Sequence, residues 1–397
     1  MESMSNNKTY DVMENKYFIS VLFSISVLYI ALSCSKTETP VFDNASDLTT
    51  GAAWSNCFIV SEEGDYKFET KYVDGSEIEG IATADWAWSS KGKSSGSLIS
   101  GVSYSDGVIR FSAKGDEGNA LIVALDGTGS IVWSWHIWMT DTPAHQQLDN
   151  GTVFMDRNLG ATSANKSDGH LTFGLKYQWG RKDPFFGGAT NEAVGDAVFA
   201  RAAEETLVNN DLNLSWNTEL CDAQVGTMEY AIMHPMTFIY TTDDMYIDNN
   251  EDVRKDWMYV RNDYLWSDEK TDSKTNYDPC PAGYRTPRDD AWSGVGYYNV
   301  FDNGDGGKTH TTKSGEIFWW PLCGTRWGDK DAGRLGYIYE EPTDDRVGGG
   351  QGIYWKQTTK LCGFNAGCFY LLNGTYVDAG HGMYRAHGAA VRCEYSK

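Results

Sequence analysis

Cysteines, carboxylates and aromatic rings are the groups in this chain that could do chemistry. Glu341-Pro-Thr-Asp-Asp345 brings Glu341, Asp344 and Asp345 within five positions. Clustered carboxylates in a loop can hold Ca²⁺, which makes them a calcium candidate; an acidic, solvated loop is the alternative. Asp302-Asn-Gly-Asp305 repeats the pattern more sparsely, and an ordinary Gly-rich turn is the simpler reading there. Trp327, Tyr337 and Tyr339 lie just upstream. Sugar sites combine aromatic faces with polar groups, so these rings are ligand-binding candidates, although each serves equally well as core. The 7 His are scattered, His381 and His387 lack metal-ligand spacing, and no CxxC occurs, so zinc is not expected. No Ser-His-Asp order, phosphate loop or paired-carboxylate motif stands out, and no catalytic activity is expected.

Charge narrows the partners. Lys and Arg number 33 against 55 Asp and Glu, for a formal charge of −22. Such a polyanion repels nucleic acid and anionic headgroups. Near the N-terminus, Lys16 precedes an uncharged apolar run from Tyr17 to Leu32. That is short for a membrane span and normal for the apolar region of a signal peptide. It ends in Ile30-Ala-Leu-Ser-Cys34, which resembles a bacterial lipobox with its Leu one place late. The expectation is therefore a lipoprotein signal over 1–34, lipidation at Cys34, an outer-membrane lipid anchor and a polar tether over 35–46. Glu2 and Asp11 sit oddly in a signal, which points to Met13 as the start. Cys34 apart, Cys57, Cys221, Cys280, Cys323, Cys362, Cys368 and Cys393 remain, an odd number that leaves at least one thiol or an intermolecular bond.

The elements that must position these groups read as strands. Tyr66, Phe68, Thr70 and Tyr72 alternate with charged residues, the period of a half-buried strand. Ser105-Asp-Gly107 and Asp126-Gly-Thr-Gly129 join two hairpins. The second hairpin ends in Trp133-Ser-Trp-His-Ile-Trp138, whose Trp133 and Trp135 share a face extended by Ile131 and Ile137; core packing is expected there, not a site. Together these predict an antiparallel β-sandwich over 47–133 and a second domain over 134–397, giving a β-dominated α+β fold. Within the second, 188–275 reads as a long acidic insertion, with a helix over 197–208 capped by Asp196. Thr286-Pro287-Arg-Asp289 predicts a two-turn helix. Ile317–Cys323 reads as a buried or edge strand, since Pro321 excludes a central place. Cys368–Val377 reads as a hairpin turning at Asn373-Gly374, and 389–395 as the last strand.

Residues 134–397 resemble the Fibrobacter major paralogous domain family, a C-type-lectin-like module. The resemblance is carried by Met155-Asp-Arg-Asn-Leu159, Leu175-Lys-Tyr-Gln-Trp179, Cys280-Pro-Ala-Gly-Tyr-Arg-Thr-Pro287 with Trp292, Gly352-Ile-Tyr-Trp355 and Val391-Arg-Cys393. Asn56–Ser61 and 133–138 resemble the β-sandwich that precedes this module in Bacteroidetes surface lipoproteins and fimbria-associated proteins. The resemblance implies a surface adhesin or fimbrial-tip protein that binds a glycan or protein on a host or neighbouring cell, with fimbrial subunits as further partners. It also implies a disulfide between Cys280 and Cys393, since the ends of such modules meet; the alternative is that both are small buried hydrophobes. Closing that loop would contribute roughly 4 kcal/mol in the chain-entropy model. Cys362 and Cys368 form a second candidate pair. Glu341-Pro echoes the calcium motif of sugar-binding C-type lectins, but their partner Trp-Asn-Asp triplet is missing. Two other functions follow from the same resemblance. A polymerising pilus subunit would need a leader ending in Arg, and the first Arg is Arg110, inside a predicted strand. A formylglycine-generating enzyme shares the fold, but the residues around Cys362 and Cys368 do not match it.

Overall fold

The computed structural model describes residues 42, 44–90, 96–187, 207–209, 212, 214, 216–242, 256–296, 298–302, 306–329, 332–333, 335–338, 350–359, 365–372 and 376–396. They are β-dominated, with 42% strand against 5% helix, in several mixed and antiparallel sheets.

Two sheets are built from residues 46–139, the second with Leu207–Asn209 added at one edge. One is ordered Ser46–Asp47, Gly64–Glu69, Val108–Ala113, Ile99–Ser105. Its hairpin turns at Asp106 and Gly107, both at positive φ (52° and 75°), which matches the right-handed twist of the strands it joins. The other is ordered Leu207–Asn209, Thr83–Ser90, Gly118–Leu125, Ile131–Met139, Cys57–Val60. The two sheets share one apolar cluster: Phe68, Ile109 and Phe111 meet Ile122, Trp133, Trp135 and Ile137, with Phe68 and Trp135 rings 5.2 Å apart. The Ile131 side chain departs from the expected face. An irregular register between Ala124 and Leu125 sends Ile131 to the opposite side.

Every residue of the 118–125 strand is buried, because the second face of its sheet is covered as well. Trp88, Leu121, Val123 and Trp138 pack there with Met155, Leu175, Tyr177, Trp179 and Phe186. The 131–139 strand runs through the boundary expected at 133/134. Polar groups stitch the same contact: Asn56 Nδ2 donates to the carbonyls of Asn276 and Asp278 (2.8 and 2.9 Å), and Asn119 Nδ2 to that of Gly160 (2.9 Å). His136 is core, as expected. Burial pushes its pKa down to about 3, so its imidazole is neutral and bonds Asn119 Oδ1.

Beyond residue 140, one sheet runs Tyr284–Arg285, Glu394–Tyr395, Val153–Met155, His145–Gln147. A larger one runs Tyr177–Gln178, Gly388–Ala389, Cys323–Arg326, Gln351–Trp355, Ala366–Leu372, Val377–Met383. The expected last strand is thus two, in different sheets, because the Ala390 N–H and C=O pair with Ile353 and Trp355 between them. Cys280 and Cys393 are joined by a disulfide, with Cα atoms 6.0 Å apart.

One expected helix is corrected, and another can be followed only at its end. At Thr286 the hydroxyl donates to buried Asp278 (2.7 Å) instead of capping a helix, the Arg288 N–H goes to Glu394, and 289–294 form turns. Of the 197–208 helix, Asp196 and everything up to residue 206 lie outside the described residues, while Leu207 and Val208 are strand, paired with Ser90 and Ser89. The hairpin turn Asn373-Gly374 also lies outside them.

Candidate ligand-binding groove

Within the 188–275 stretch a concave groove of about 600 Å³ opens between two segments, residues 223–229 and 258–264. Met228, Met258, Tyr259 and Tyr264 give it an apolar, partly aromatic lining, and Glu229, Arg261 and Asp263 supply charge. The volume lies within the usual range for small-ligand sites.

The first wall is built locally. Asp222 accepts from the N–H groups of Gln224 and Val225, closing a turn (2.7 and 2.8 Å). Thr227 Oγ1 then accepts from the Tyr230 N–H and caps the short helix Met228–Met233. Arg181, 1% exposed, fixes this wall from behind. Its guanidinium donates to the carbonyls of Ala231, His234 and Thr237 and lies 5.0 Å from the Phe185 ring. Burial lowers its pKa to about 10, which leaves it charged at neutral pH.

The second wall hangs on another buried arginine. Arg385 reaches Asp256 Oδ2 at 3.1 Å, bonds Asp263 Oδ1, donates to the Asn262 carbonyl at 3.2 Å and stacks over Trp179 at 4.8 Å. Burial lifts Asp256 above the usual carboxylate range, against the pull of Arg385. At Asp263 burial also pushes upward, but hydrogen bonds from Arg261 and Arg385 outweigh it and hold the carboxyl below that range. Arg261 meets Asp263 side-on, with bonds of 2.7 and 2.9 Å, which sets both head groups at the rim.

The walls join where the Tyr259 N–H donates to the Gly226 carbonyl. A Cβ on Gly226 would fall 2.6 Å from Tyr259 N and 2.8 Å from the Asp222 carbonyl oxygen, both backbone atoms that cannot swing aside. Gly226→Ala should therefore push the walls apart, at a cost of about 1–3 kcal/mol, read as a lower urea midpoint and faster amide exchange over 256–264. Unchanged exchange would show that the junction is soft.

Of the aromatic and acidic candidates from the sequence, only the Trp327 side chain is described, and it does not line this groove. Trp327 is half-buried, edge-on to His387 at 5.2 Å and lying over Gly336, so it packs as a flank of the Leu335–Ile338 strand. Tyr337 is on that strand; its side chain, Tyr339, Glu341, Asp344, Asp345, Cys362 and Cys34 lie outside the described residues. Asp302-Asn-Gly-Asp305 is described only at Asp302. Cys368 is buried in the Ala366–Leu372 strand. Among the described residues no three His, Cys, Asp or Glu converge as a metal site. Burial pushes the Cys221 thiol, close under Gly226, up to about 12, which makes it a poor nucleophile. Sequence reasoning missed Arg181 and Arg385; the one signal was arginine set among aromatic and small residues.

Comparison with known proteins adds no assignment: no family model, no curated protein and no solved structure matches this chain.

Proposed function

We propose that this chain is a non-catalytic recognition protein of the cell surface that binds a glycan or protein ligand in the 223–264 groove. The groove carries the reading: two tyrosines and two methionines beside a paired Arg261 and Asp263, on walls pinned by buried arginines. Aromatic faces suit the apolar side of a sugar ring, and a fixed charge pair suits its hydroxyls. Walls fixed in advance reduce the entropy lost on binding.

The finer architecture belongs to the same proposal. The two sheets over 46–139 form a β-sandwich, and the remainder is a divergent C-type-lectin-like module related to the Fibrobacter major paralogous family. The disulfide supports an oxidising compartment. With the lipobox-like Cys34 and the tether over 35–46, the protein is an outer-membrane lipoprotein displayed as an adhesin or fimbrial-tip component.

Glycan- and protein-array binding by residues 42–397 tests this. Tyr259→Ala and Tyr264→Ala should each weaken a hit at least tenfold with the melting temperature nearly unchanged at Tyr264, which is 38% exposed. Hits insensitive to both would remove the groove from the proposal. Hits lost with Ca²⁺ or by Asp344→Ala would move the site to the Glu341–Asp345 segment.

A further inference from the structure

A separate small sheet exposes a second uncharged face. Val300–Asp302, Gly307–Thr311 and Ile317–Pro321 form a three-stranded antiparallel sheet. Its inner face, with Val300, His310, Phe318 and Trp320, is buried. By strand alternation the outer face carries Phe301, Gly307, Thr309, Thr311, Ile317, Trp319 and Pro321, of which Gly307 and Pro321 are buried and Thr309 and Trp319 half-buried. Phe301 and Ile317 are each 58% exposed, and Thr311 is exposed. A Cβ on Gly307 would sit 2.3 Å from the Trp319 indole, so that ring lies flat on the neighbouring backbone.

Three properties define what fits. None of these residues is charged, on a chain with a formal charge of −22, and Lys308 between them is buried. The face itself therefore offers no charged side chain to a ligand. The edge of the 317–321 strand is closed: Gln146 Nε2, Arg392 Nη1 and Tyr354 Oη donate to the carbonyls of Ile317, Trp319 and Pro321 at 3.0, 2.7 and 2.6 Å. A partner therefore cannot extend the sheet along the 317–321 strand. The face is small, roughly 10 by 15 Å from strand spacing and rise, well below the roughly 800 Å² per partner of a stable protein interface. Phe301 and Trp319 oppose Thr309 from either side, about 10 Å apart.

We infer that this face is a stacking platform for a neutral polysaccharide, with Phe301 and Trp319 under separate sugar rings and the exposed Thr311 hydroxyl bonding beside them. It deepens the recognition reading and rests on it for the ligand class, but it uses a different surface.

Pull-down of residues 42–397 on chitin, amorphous cellulose and starch granules tests it, with melting curves to confirm folding. Retention on at least one of them is expected, falling fivefold or more in Phe301→Ala, an exposed residue, and in Gly307→Ala, which displaces the indole. Tyr264→Ala should be retained like the wild type. Failure of all three polymers, or equal retention of Phe301→Ala, overturns the platform and leaves the groove untouched. Loss in Tyr264→Ala alone assigns the binding to the groove and overturns the platform. A concentration-dependent dimer dissolved by Phe301→Ala, seen by light scattering, also overturns it, because the face would then be a self-contact.

Discussion

Arg385→Met is expected to cost about 3–5 kcal/mol at pH 7, the usual penalty for leaving a buried charge without its partner. Asp256 is the reason. It is 3% exposed, Arg385 is its ion-pair partner at 3.1 Å, and burial already lifts its pKa above the ordinary range. A carboxyl with a raised folded pKa binds its proton more tightly folded than unfolded. Its contribution to stability is therefore most favourable at low pH and falls as pH rises from the unfolded value, about 4, through the folded one. Removing Arg385 raises the folded value further and widens that window. The deficit of the variant against the wild type should accordingly shrink as pH falls from 7 toward 4, in urea titrations at both ends. A deficit that does not move with pH would mean that the lost stacking on Trp179 matters more than the charge. The same variant releases Asp263 and Asn262 and should weaken groove binding as well.

Cys280→Ala with Cys393→Ala is expected to cost about 2–5 kcal/mol. The bond closes a separation of 113 residues that holds all of the large sheet but Tyr177–Gln178, together with the 317–321 strand, and it ties the loop before the Tyr284–Arg285 strand to the chain just ahead of Glu394–Tyr395. Both sulfurs are in fully buried residues, so reductant should act on the native protein only through opening. Adding dithiothreitol should leave folded protein intact for long times at low temperature and lower the melting temperature on refolding cycles. Rapid reduction of the folded protein would show that this junction opens locally. Neighbouring polar contacts remain in the double variant: Lys274 Nζ still reaches the Pro281 and Tyr284 carbonyls, and Glu394 still pairs with Arg288. The loss should therefore be graded rather than complete.

Much of the strand pattern is legible in the residues themselves. Alternation from Tyr66 onward marks a half-buried strand, which ends at Glu69, and Asp106-Gly107 dictates the hairpin of the two neighbouring strands, because both signals are local. Helix starts were less legible. Thr286-Pro287 carries a good capping pattern, but Asp278 and Glu394, eight and more than a hundred residues away along the chain, take the groups that a helix would have used. The bulge that turns Ile131 over and the split of 388–395 between two sheets likewise depend on partners distant in sequence.

The sequence by itself determined a β-dominated, acidic chain with a turn-punctuated hairpin core, because periodicity, turn chemistry and charge are carried by neighbouring residues. Only the tertiary structure decided where a ligand could sit. The groove exists because Arg181 and Arg385, some 200 positions apart, each lose their hydration to hold one wall in place. No local pattern encodes that pairing, since the energy that fixes a buried guanidinium comes from carbonyls and carboxylates delivered by a helix and irregular segments distant in sequence.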